Sequence, residues 1–296
     1  MNAIKCEGVS KSFKEKKALD HVDFEIETGK IYALLGRNGA GKTTLMNCIC
    51  TKYLQDEGNI EVLGEQVYEN EKVLKQICFM SDNMNSFELK KVKYILKFAE
   101  NFYENWNKSL ESRLLELFEL DIKSSYVALS RGQRTAVSII IGLCSGCEIV
   151  LFDEIYSGLD AVARQEFYEI LMEEQEKNPR TYILSTHLIE EMSGLFDGVI
   201  ILDKGRVILC EDVEKIHSKS LKIVGRTNQM ERLKNKNVLR IKEAGTIVEC
   251  ILYDDISLSE REMLKESGFD VSSAELQELF VAMTAGNTKC QGEEYA

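Results

Sequence analysis

The sequence predicts an α/β fold, and three observations carry that expectation. Short continuous apolar runs recur as IYALL (31–35), IVLF (149–152), YILS (182–185) and VIIL (199–202). Such runs fit strands buried on both faces, as in a parallel sheet. Between the first run and the others lie FELKKVKYILKFAENFYENW (87–106) and LESRLLELFEL (110–120), with apolar residues at three- and four-residue spacing. That spacing is helical, so the pattern is a β/α core with a helical insert. Finally, the character changes near Ser218. Short strand-like segments and two short helices follow there, which predicts a small α+β appendage.

Taken in order, HVDFEIETG alternates through Val22, Phe24 and Ile26 and then turns at Thr28-Gly29. Alternation predicts a strand with one wet face. The buried run 31–35 leads into GRNGAGKT, and TTLMNCI reads as the helix after it. The most apolar helix candidate, 136–144, is interrupted by Ser138 and Gly142 and is far short of the ~20 residues that span a bilayer. After the turn Lys204-Gly205 come LKIVG (221–225), VLRIK (238–242), TIVECILY (246–253), a helix over 259–267, the last helix AELQELFVAMT (274–284) and a polar tail beyond Ala285. Pro179 is the one proline, so glycines do most of the punctuation.

The chain has 296 residues and a net charge of −12, which speaks against sequence-independent nucleic-acid binding, where Lys and Arg replace phosphate counterions. The beginning, MNAIKCEGVSKSF, lacks the apolar stretch of a secretory signal. A cytoplasmic protein is the expectation, with any membrane role played through a partner. Nine cysteines include the pair Cys144 and Cys147 in a CxxC, but no second CxxC accompanies it and there are three histidines. Buried reduced thiols are expected here, without a metal cluster or disulfide framework.

Gly36-Arg37-Asn38-Gly39-Ala40-Gly41-Lys42-Thr43 fits the phosphate-binding pattern G-x-x-x-x-G-K-[ST]. Glycines let successive N–H groups point at phosphate oxygens, Lys42 brings a point charge, and the Thr43 hydroxyl suits Mg²⁺. The helix behind the loop adds its positive end. IVLFDE (149–154) ends a strand in two carboxylates: Asp153 suits a metal held through water, and Glu154 suits a water-activating base. LSRGQ (129–133) contains S-x-x-Q, a capping box that could simply start a helix. Its competing reading is an exposed phosphate-binding helix end.

Order decides between these. GRNGAGKT, LSRGQ, IVLFDE, SGLD (157–160) and LSTH (184–187) follow one another as in the ATP-binding-cassette (ABC) family, which the chain resembles over roughly residues 1–215. The resemblance implies a P-loop NTPase with a RecA-like parallel-sheet core, an antiparallel β subdomain and an inserted helical subdomain at about 83–146. Residues 1–217 would form the nucleotide-binding domain and 218–296 an accessory one. It further implies ATP and Mg²⁺ as ligands. Gly36, Arg37, Asn38, Gly39, Ala40, Gly41, Lys42, Thr43 and Thr44 would hold phosphate. Phe13 matches an aromatic that stacks on adenine, and His187 matches a γ-phosphate-sensing histidine. In the family two cassettes pack head to tail, so Ser130, Gly132 and Gln133 would complete the site of a second chain, identical or not, and Asp160 would also bind nucleotide. The metal would touch Thr43, Asp153 and, where the family has Gln, Asp82.

Three residues or pairs depart from the family pattern: Arg131 for a glycine, Ile155-Tyr156 for Pro-Thr, and Asp82 for Gln. NFYENWNKSLESRLLELFEL and AELQELFVAMTAG resemble a bacterial branch of single-cassette subunits, with ABC-2-type permeases on separate chains, that exports drugs or antibiotic peptides. An ATPase at the inner face of the membrane, held there by its permease, is the leading expectation. A soluble cassette ATPase of the iron–sulfur-assembly type, or a nucleotide sensor without turnover, is the alternative.

Overall fold

The computed structural model describes residues 1–81 and 90–285, so Asp82, residues 83–89 of the helical insert and the tail after Ala285 lie outside the described residues. The chain divides into two compact units, Met1–His187 with Gly194–Cys210, and Leu188–Ser193 with Glu211 onward.

In the first unit, β1 (Asn2–Phe13), β2 (Lys16–Glu27), β4 (Glu57–Val62) and β5 (Glu65–Gln66) form an antiparallel sheet in the order β2-β1-β4-β5. On β2 the predicted alternation is plain: Val22, Phe24 and Ile26 are buried while Asp23, Glu25 and Glu27 are exposed. A second sheet runs β10-β9-β3-β8-β7-β6, built from β3 (Ile31–Leu35), β6 (Ile77–Ser81), β7 (Ile149–Asp153), β8 (Thr181–Thr186), β9 (Gly198–Asp203) and β10 (Arg206–Asp212). From β9 to β6 it is parallel, and every residue of β3, β7 and β8 is buried. Each leucine or isoleucine so placed contributes roughly 1.5–3 kcal/mol by leaving water. Lys204 (φ 47°) and Gly205 (φ 81°) make the two-residue turn between β9 and β10.

The helices of this unit are α1 (Lys42–Ile49), α2 (Glu71–Leu74), α3 (Val92–Phe102), α4 (Lys108–Leu117), α5 (Arg131–Cys144) and α6 (Ala161–Lys177). The long helical stretch predicted over 87–106 is shorter than its spacing suggested. It ends at Phe102, and Asn107 caps α4 by accepting from the Leu110 N–H at 3.0 Å. A capping amide five residues on competes with helix continuation.

The second unit holds α7 (Ile189–Met192), α8 (Val213–Lys219), β11 (Ser220–Arg226), β12 (Val238–Ala244), β13 (Ile247–Tyr253), α9 (Leu258–Glu266), β14 (Asp270–Ser273) and α10 (Leu276–Thr284). Its sheet, in the order β12-β13-β11-β14, is antiparallel throughout. With the 3₁₀ segment Thr227–Leu233 after β11, this is the β-α-β-β-α-β plan with its first helix reduced. Leu221, Ile223, Leu233, Val248, Cys250, Leu252 and Phe269 share one core. Gly225 lies beneath Phe269, where an added Cβ would sit 2.4 Å from the ring.

Candidate functional site

β3 is flanked by β8 and β9, both later in the chain. The crevice at its carboxyl end is where α/β sheets place ligands. There the chain turns through 36–41 into α1. An added Cβ at Gly36 would lie 2.6 Å from the Leu202 carbonyl, and one at Gly41 (φ 113°) 2.6 Å from the Ala18 carbonyl. Only glycine fits either place. The loop lines a cavity of about 640 Å³ that also meets Phe13, Lys42, Thr43, Asp153 and Glu154.

Within it an ion pair and two hydroxyl–carboxylate hydrogen bonds fix the side chains. Lys42 is buried; its Nζ donates to the Gly36 carbonyl at 2.8 Å and lies 3.2 Å from Glu154 Oε1. The Thr43 hydroxyl donates to Asp153 Oδ2 at 2.7 Å, and the Ser185 hydroxyl donates to Asp153 Oδ1 at 2.6 Å. Register explains the second bond, since Asp153 and Ser185 stand opposite each other across β7 and β8. Glu154 adopts a left-handed backbone, φ 52°. For a side-chain-bearing residue that costs about 1 kcal/mol or more, and it brings the carboxylate back over Lys42.

Thr43 and Asp153 fit a magnesium ion. A hard dication takes oxygen ligands, and Mg²⁺ is held by one or two protein oxygens with waters and phosphate. The hydroxyl and carboxylate already meet at the cavity wall. Two protein oxygens are too few alone, so such an ion draws its other ligands from water and phosphate.

Ile155 and Tyr156, where the family pattern has Pro-Thr, are core residues. Both are fully buried, Tyr156 stacks on Phe167, and its hydroxyl donates to the Ser185 carbonyl. Burial pushes the Tyr156 hydroxyl well above its ordinary pKa, so it stays a donor.

Arg37, Asn38, Gly39, Ala40 and Thr44 line the cavity, and Phe13 meets Tyr53 edge-on at 5.2 Å. The remaining predicted residues that are described lie off its wall. Ser130 and Gln133 form both halves of a capping box: the Gln133 N–H donates to Ser130 Oγ at 3.2 Å and the Ser130 N–H to Gln133 Oε1 at 3.1 Å. Gly132 abuts Gly158, where an added Cβ would sit 3.0 Å from the Gly158 carbonyl. Asp160 caps α6 by accepting from the Ala163 N–H at 2.9 Å. His187 is exposed just past β8. Sequence reasoning missed Lys16 and Ser81 on the cavity wall and Ser185 behind it, and it named Arg131, also on the wall, only as a departure from the family pattern. Only Ser185 had a usable signal, its place at the end of a buried run parallel to the strand of Asp153.

The family description "ABC transporter" matches residues 19–157. An "Uncharacterized ABC transporter ATP-binding protein" of Methanocaldococcus jannaschii is 34% identical over 222 residues, 72% of this chain and 79% of that one. The "ABC transporter ATP-binding protein YtrB" of Bacillus subtilis is 22% identical over 290 residues, 97% and 99% of the two chains. The "Methionine import ATP-binding protein MetN" of Clostridium acetobutylicum is 30% identical over 239 residues, 76% and 75%. Among solved structures, a dimeric post-hydrolysis ATP-binding cassette bound to ADP and Pi superposes with TM-score 0.61 at 21% identity, covering 71% of this chain and 98% of that one.

Proposed function

The chain belongs to the ABC transporter ATP-binding family, and on that premise we propose that it hydrolyses ATP to drive export through an ABC-2-type permease carried on a separate chain. The observation that carries the catalytic part is the gathering of Lys42, Thr43, Asp153 and Glu154 around one cavity at the carboxyl end of β3. Mg²⁺, if held by Thr43 and Asp153, would supply positive charge against the phosphates. Lys42 and the loop amides of 36–43 hold the phosphates. Thr43 and Asp153 position the metal, with Ser185 fixing the carboxylate's second oxygen. Glu154 accepts the proton of the attacking water, and His187 contacts the γ-phosphate.

Residues 1–217 act as the nucleotide-binding domain and 218–296 as an accessory domain. Ser130, Gly132 and Gln133 complete the site of a second cassette packed head to tail, Asp160 also binds nucleotide, and Asp82 supplies a further metal oxygen. The exporter reading rests on the resemblance of the segments after Asn101 to that branch; the YtrB similarity, spanning 97% of the chain, supports the ATP-binding role. A methionine-import relative makes inward movement the competing outcome of a transport assay. Among the described residues no helix is long and apolar enough to cross a membrane. The chain is placed at the inner membrane face by its permease.

The test is Glu154→Gln. ATP binding should persist while phosphate release falls at least about 100-fold; unaltered turnover would sink the assignment. For the paired cassette, a Ser130→Arg chain mixed with a Glu154→Gln chain should regain one working site. No recovery on mixing argues against the second-chain role.

A further inference from the structure

Arg131 is the one residue of LSRGQ that the fold turns toward the phosphate loop of its own chain. It is the first residue of α5 and lines the same cavity as Lys42, Thr43, Asp153 and Glu154. Its place is set by close packing. An added Cβ at Gly158 would lie 3.2 Å from Arg131 Cγ and 3.3 Å from the Arg131 carbonyl. The start of α5 is thus pressed against the turn that follows Glu154, with Gly132 closing the same contact from the other side.

Charge gives the position a use. The cavity wall carries Asp153 and Glu154 against Lys16, Arg37, Lys42 and Arg131. Lys42 is already engaged by the Gly36 carbonyl and Glu154, and Arg131 too has an interaction within the fold. A triphosphate entering the loop brings more negative charge than Lys42 alone can meet, and it arrives beside two carboxylates. A guanidinium suits that demand because its planar fork can donate two parallel bonds to phosphate oxygens.

Building on the ATP-binding reading above, we propose that Arg131 contacts the terminal phosphate of the nucleotide held by its own chain. Ser130, Gly132 and Gln133 serve the partner cassette, so one short segment faces two nucleotides. Arg131 is in this view a phosphate-binding residue in cis, at the position where the family pattern has glycine.

The two assignments separate in a monomer. Equilibrium binding of ATP and of ADP is measured at protein concentrations where sedimentation shows single chains, for the unmodified protein, Arg131→Ala, Arg131→Lys and Lys42→Ala. Arg131→Ala should weaken ATP about tenfold or more, with ADP changed far less and Arg131→Lys intermediate. A melting curve for each variant separates lost contact from lost fold. Unchanged ATP affinity of monomeric Arg131→Ala overturns the proposal, and so does an equal loss for ATP and ADP. Failure of the underlying reading has a different signature: the unmodified chain binds neither nucleotide, or Lys42→Ala binds both as well as it does.

Discussion

At the scale of single residues, the most informative side chain is Ser185, a residue of LSTH to which the motif itself assigns no role. Its hydroxyl holds Asp153 while its carbonyl accepts from Tyr156. Tyr156→Phe keeps the stack on Phe167 and removes one of two donors to that carbonyl, leaving the Glu154 N–H at 3.3 Å. Unfolding free energy should drop by about 0.5–1.5 kcal/mol, read from urea titration, with nucleotide affinity little changed. Ser185→Ala should do the opposite and depress phosphate release more than stability. The buried thiols make a pH prediction. Burial pushes Cys48 and Cys78 up to about 11 and Cys147 up to about 12, from an ordinary value of 9.0. Above pH 9 the unfolded chain ionises these thiols while the folded chain keeps them protonated, so ionisation pulls toward unfolding. Their contribution is complete below pH 9 and lost progressively as pH rises through 11–12. Urea midpoints measured across that range should fall. Alkylation of these three at pH 8 should require denaturant, since the thiolate is the reactive form.

At the scale of elements, close packing of the α5 start on the turn 155–158 yields the sharpest test. An added Cβ at Gly158 would lie 2.5 Å from Thr135 Oγ1. Gly158→Ala should therefore shift that turn and reduce ATPase activity without removing any motif residue, measured beside a melting curve. Elements with a strong period were legible in the sequence: the continuous runs of β3, β7 and β8, and the alternation on β2. Those without one were not. β1 carries Gly8 at φ 60° and several register shifts against β2, so its apolar residues keep no strict period. The 17 residues of α6 bury Phe167, Tyr168, Ile170 and Leu171 and little else, too few to print a stripe. β14, with one buried residue in DVSS, is a strand because β11 pairs with it. The same limit holds in the site. Contiguous motifs name the roles of Lys42, Thr43, Asp153 and Glu154, whereas Ser185 and Arg131, though inside LSTH and LSRGQ, reach the site through strand register and helix packing, which no local spacing encodes.

At the scale of the whole molecule, each compact unit closes a hydrophobic core of its own. Calorimetry should resolve two transitions where a single cooperative domain shows one. Gly225→Ala, driven into the Phe269 ring, should lower only the transition of the second unit. The phosphate loop lies wholly within the first unit. Nucleotide stabilises by mass action the fold that binds it, by about 2.7 kcal/mol at a hundredfold excess over the dissociation constant. In an energised cell that protection reaches one core and bypasses the other. A protease challenging the ATP-saturated chain should therefore open it first beyond Glu211, and starvation for nucleotide should narrow the difference between the two halves.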